Sequence, residues 1–197
     1  MDSVPGLRVQ RPVKLTSSRD TAGRDDASIV AAQLSGRSPR GPWRIAARCS
    51  SGFPVVIVSP SMLDDGTPFP SYAWLTCPFL AEKVAAAESG GAAARWAARA
   101  AVDRALAAAL RAADRDVRAA RARESGGVDA CAHVGLAGQR DPLGVKCLHA
   151  HVALALAGIA DPVGIAELEA AGYECTDAHC EKITASSGRA RTPKKES

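Results

Sequence analysis

Apolar and polar positions divide the chain into a patterned centre and two unpatterned ends. Residues 1 to about 27 mix Pro, Ser, Thr, Arg and Asp with no apolar period, so they bury too little surface to offset their ordering entropy and are expected to be a disordered extension. The tail from about residue 183 has the same character. Residues 28–182 carry structural periods throughout and are expected to form a single domain.

Within that domain SIVAAQLSG (28–36) predicts a short helix stopped by Gly36. WRIAARC (43–49) and FPVVIVSP (53–60) are β-rich runs joined by Ser50, Ser51 and Gly52, which predicts a hairpin. DDGTPFP (64–70) reads as a turn, and YAWLTC (72–77) resumes strand character until Pro78. A helix over FLAEKVAAAES ends at Gly90 and Gly91, and one long helix is expected from there to about Ser125. Trp96, Val102, Leu106, Leu110 and Val117 give it a narrow apolar stripe. Its interleaved Arg and Asp, including Asp114 four residues before Arg118, read as a solvated face with local ion pairs rather than a rail for polyanion.

GGVDACAHVGLAGQR (126–140) is a Gly-rich loop without the Gly-Lys-Ser/Thr of a phosphate loop. Asp141-Pro142 and Asp161-Pro162 each offer an Asp N-cap followed by Pro at the first helical position, predicting helices over about 142–157 and 162–171. The fold class is therefore α+β, a small antiparallel sheet of about three strands packed against Ala-rich helices.

Composition qualifies this picture. Alanine is the largest part of the 47% apolar share and aromatics are only 4%, so the core must come from Leu, Val, Ile and closely packed Ala helices. The net charge of +4 is concentrated near the two ends, which reads as solvated tails; an acidic protein or polyanion is the partner those tails would suit. No run is long enough to span a bilayer, and MDSVPGLRVQ lacks the apolar centre of a secretory signal. The expectation is a cytoplasmic protein with no membrane partner, whose six cysteines are thiols or ligands rather than disulfides.

Every histidine lies close to a cysteine: His133 by Cys131, His149 and His151 by Cys147, and His179 by Cys175 and Cys180. Cys49 and Cys77 end two predicted strands. Zinc takes four N/S ligands, usually as close pairs from separate segments, and this chain offers such segments but no Cys-x-x-Cys knuckle. On a regular helix Cys147 shares a face with His151, while His149 points almost oppositely. A helix that begins near Cys147 would instead permit a Cys-x-His chelate. The ordinary alternatives are a core histidine bonded to a carbonyl and a small buried thiol. A catalytic pairing of Cys147 or Cys77 with His149 or His151 is also open, though no orienting acid or oxyanion site is legible by spacing.

DDGTPFPSYAWLTCP (64–78) and GVKCLHAHVALALA (144–157), with QLSGRSPRG and RCSSGFPVV before them, resemble a bacterial family, mostly actinobacterial, known as domain of unknown function five hundred and one. The resemblance runs from residue 28 to about 180 and implies that Gly66, Pro68, Phe69, Pro70, Leu75, Thr76, Cys77, Lys146, Cys147, Leu148 and His149 carry the family pattern. It thus favours His149 over His151 and links Cys77 with Cys147. Family members often sit beside genes for an exopolyphosphatase and a septum-formation protein, and the family carries no assigned activity. The Ala-rich middle helix and the basic extension depart from the pattern.

The leading expectation is a metal site, most simply zinc, structural or regulatory, in which Cys77, Cys147 and His149 converge and Cys49, His151 or a residue of YECTDAHC completes the shell. An iron-sulfur cluster is the lesser metal alternative, because it prefers four thiolates. A cysteine-dependent enzyme and an interaction module for an acidic partner are the other classes.

Overall fold

The computed structural model describes residues 25–172, 175 and 179–189. The first 24 residues of the expected N-terminal extension and the last eight of the expected basic tail lie outside these.

Helix α1 (Asp26–Gln33) opens on Asp25, whose carboxylate accepts from Ala27 N at 3.1 Å. The hairpin follows as expected: β1 (Arg44–Arg48) pairs antiparallel with β2 (Pro54–Val58). Its link closes through Cys49 N to Phe53 O, with Gly52 at φ 80°, a left-handed position that glycine takes without a Cβ penalty. The sheet is completed by β3 (Ala73–Leu75) in the order β1-β2-β3. Every residue of the central strand is buried, which is why PVVIV is an unbroken apolar run rather than an alternation.

Pro78 both ends strand character and starts α2 (Pro78–Ser89), with Cys77 as N-cap. The long helix expected next is two helices, α3 (Ala92–Val102) and α4 (Arg104–Glu124). Asp103 breaks it, taking an extended backbone and accepting from Ala105 N and Leu106 N, both at 3.0 Å, as the N-cap of α4. The break also takes Val102 out of the expected apolar stripe, leaving it 83% exposed. Nor is α4 merely a solvated rod: besides the Asp114–Arg118 pair at 2.8 Å it carries Arg121, fully buried. Arg121 forks onto both Asp129 oxygens at 2.8 Å and donates to the carbonyls of Pro70, Cys131 and Val134. It thereby fixes the Gly-rich loop, which contains a short 3-10 turn (Leu136–Gly138).

The two Asp-Pro segments behave differently. Asp161 caps α6 (Pro162–Ala171), accepting from Val163 N and Gly164 N at 3.0 and 3.1 Å. Asp141 instead accepts from Leu143 N at 2.9 Å and closes a turn through Gly144 N, and Gln139 Nε2 holds the Gly144 carbonyl at 2.9 Å. The chain then runs without helix until α5 (Leu148–Leu156), so the helix expected from Pro142 starts six residues later. Helix α5 packs on β3 and crosses α6, and the main core gathers Val56, Leu110, Leu148 and Val152 among its fully buried members. Helix α7 (His179–Arg189) continues past the tail boundary expected near 183 and packs on α1.

Candidate metal centre

The late start of α5 decides how the reactive residues of VKCLHAH are presented. Cys147 is the N-cap, with φ −141° and ψ 109°, so its side chain does not follow helical phase. The one-face relation of Cys147 to His151 therefore lapses, and Cys147 and His149 come together instead. Facing them is Glu88, from the last turn of α2. The ligand atoms of Glu88, Cys147 and His149 all lie within 4.8 Å of one another. All three residues are half-buried.

Glu88 is bound on both oxygens. Its Oε1 accepts from Leu148 N at 2.5 Å, supplying a carboxylate to the positive end of α5. Its Oε2 lies 3.3 Å from His149 Nδ1. The other ring nitrogen, His149 Nε2, is 3.1 Å from the Ala81 carbonyl, which only accepts, so Nε2 carries the proton. In neutral His149 the Nδ1 lone pair is consequently directed at a carboxylate oxygen. Two acceptors at that separation require a cation between or beside them, either a proton or a metal ion. An imidazole whose far N–H is held by a backbone carbonyl is also the usual support of a metal-bound histidine.

Burial holds the Cys147 thiol above its ordinary pKa, and the Glu88 carboxylate adds to this against the opposing N–H of Ala150. Burial likewise pushes Cys77 up to about 11, against the first-turn N–H groups of Leu80 and Phe79. Neither thiol has the depressed pKa of an activated nucleophile.

The other expected site residues lie elsewhere. His151 is fully buried, its Nδ1 2.7 Å from Asp161 Oδ2, and ties α5 to the cap of α6. Its Nε2 has no hydrogen-bond partner among the described residues. Cys49 and Cys77 stand outside the Glu88 group and line a separate cavity with Cys175, His179 and Cys180. Cys77 sits at the N-cap position of α2 and Glu88 in its last turn, about 16 Å apart along the axis at the α-helical rise. Glu88 was not among the sequence candidates. The signal that marks it is its place: an acid in the last turn of a helix opposes the macrodipole and calls for a partner.

No helix among the described residues is long and apolar enough to cross a membrane. No curated protein and no solved structure matches the chain. A family model does, over residues 45–169, a span that includes all of the sheet but Arg44, together with Glu88, Cys147 and His149, and the chain accordingly belongs to the family described as "Protein of unknown function (DUF501)".

Proposed function

We propose that Glu88, Cys147 and His149 hold a metal ion, most simply zinc, in a regulatory site that joins the end of α2 to the start of α5. One observation carries the reading: His149 Nδ1 faces the Glu88 carboxylate at 3.3 Å while its Nε2–H is spent on Ala81 O. A mixed oxygen, sulfur and nitrogen set suits a borderline ion such as zinc, and a single thiolate does not suit an iron-sulfur cluster. Three half-buried protein ligands leave a fourth position for water or an incoming group, the pattern of an exchangeable site rather than a closed structural one. The bound ion would draw the proton from Cys147 and replace the repulsion between sulfur and carboxylate by shared attraction.

The test is metal content of full-length protein purified without chelator, beside Cys147→Ala and His149→Ala. Zinc present in the parent and reduced by one equivalent in both variants is expected. Parent and variants with equal zinc would refute the site.

A cysteine-dependent enzyme draws no support from the raised pKa values of Cys147 and Cys77. The basic tails that would serve an acidic partner lie largely outside the described residues.

A further inference from the structure

Distant parts of the chain deliver sulfur to one cavity. Cys49 follows β1, Cys77 caps α2 and Cys180 lies in the first turn of α7, and Cys175 and His179 line the same space. The cavity holds about 100 Å³ and is otherwise walled mainly by apolar groups, among them Phe53, Phe79 and Leu168. Cys77 feels the charges of both Cys180 and Cys49, and because among the described residues no three ligand atoms of this cavity lie within 4.8 Å of one another the thiols must close in to share an ion.

Two of these sulfurs also receive N–H groups. Gln33 Nε2 donates to Cys180 Sγ at 3.3 Å while holding Pro54 O at 2.8 Å, which fixes the orientation of the amide. His179 N donates to Cys175 Sγ at 3.4 Å. Such donors favour a sulfur bearing negative charge, yet an apolar wall penalises that charge unless a cation shares the space, and Arg48, the cation in the lining, is already bound to Asp26 and to the Gly52 carbonyl. Thiols gathered from separate elements, two of them braced by N–H groups, within mainly apolar walls, match the needs of a thiophilic ion.

We propose that Cys49, Cys77 and Cys180 form a second metal site, thiolate-rich and closed, for zinc or a similarly thiophilic divalent cation, with Cys175 or His179 as fourth ligand. Each coordinating thiol releases its proton to solvent on binding. The cavity exceeds the needs of one ion, so binding draws α7 toward the sheet and fastens the C-terminal helix to the core. This site is independent of the Glu88 group and stands or falls separately.

The experiment uses reduced, chelator-stripped, full-length protein titrated with cadmium, read by the sulfur-to-cadmium charge-transfer band and by alkylation of each cysteine followed by mass spectrometry. In the Cys147→Ala/His149→Ala double variant the band is expected to persist, and to be lost when Cys180→Ser is added. In the unaltered protein, where no variant can misfold, cadmium is expected to slow alkylation of Cys49, Cys77 and Cys180 roughly tenfold or more while leaving Cys131 unchanged. Protection confined to Cys147 would overturn this proposal and leave the Glu88 site standing. Alkylation of all three cavity thiols at the same rate with and without cadmium would also overturn it.

Discussion

Gly164→Ala sets two opposed effects against each other at the point where α6 crosses α5. Alanine is the better helix former by about 1 kcal/mol, so an exposed position would gain stability. At Gly164, however, an added Cβ would stand 2.0 Å from the His151 carbonyl oxygen, 2.5 Å from its carbon and 3.0 Å from Ala155 Cβ. The first two are backbone atoms in the middle of α5 and cannot rotate away. Even the tightest tolerated approach of 3.0 Å requires one helix to retreat by about 1 Å, loosening the buried packing of α5 on α6 and straining the His151–Asp161 bond. Overpacking of this kind costs about 3 kcal/mol, at the upper end because backbone is struck, and the propensity gain leaves a net loss of about 2 kcal/mol. For a chain of this size that lowers Tm by about 4 to 8 °C. Urea and thermal unfolding followed by circular dichroism measure it. Because α5 also carries His149, zinc affinity at the proposed site is expected to fall in parallel. An unchanged or raised Tm would show that the crossing has slack, and would refute the claim that close helix contact positions the site.

Other substitutions test the supports around it. Arg121→Met leaves the Asp129 carboxylate without its cation, with only the Cys131 N–H among the described residues still donating to it, and removes the arginine donor from three loop carbonyls; it is expected to cost about 3 to 5 kcal/mol in chemical denaturation; a loss under about 1 kcal/mol would mean that the buried fork is energetically idle. Asp103→Ala removes the N-cap of α4 and should lower the thermal midpoint measurably, with Asp103→Ser recovering most of the loss. Burial holds the Tyr72 phenol above its ordinary 10.0, helped by the Glu124 charge, so the neutral form favours the fold. Its contribution is intact below pH 10 and lost as pH rises through the folded-state pKa; Tyr72→Phe should flatten the alkaline limb of the stability curve, and identical limbs would refute the assignment.

Legibility followed the range of the interactions. The hairpin, the third strand and the Asp161 cap rest on local chemistry and are readable in the sequence. The same Asp-Pro signal misleads at Asp141, because Gln139 and Gly144 capture the chain in a turn before a helix can propagate. The break at Asp103 is hidden among several Asp residues of an Ala-Arg run, any of which could serve as an outward-facing acid. At the candidate site Cys147 and His149 were legible and their apparent conflict with helical phase was informative, since it required the helix start that α5 has. Glu88 stood out only as an acid in the last turn of a helix, and its partner was not legible, being 59 residues on and brought to it by the packing of α2 on α5. Arg121 was one arginine among many, and only tertiary contacts single it out.

The central claim concerns what lies between His149 Nδ1 and Glu88. Nitrogen-15 spectra of the His149 ring, recorded on chelator-stripped protein before and after zinc is added, read that directly. Zinc is expected to bind Nδ1 while Nε2 keeps its proton toward Ala81 O. A ring protonated on both nitrogens with and without zinc would mark a plain ion pair to Glu88 and contradict the metal site.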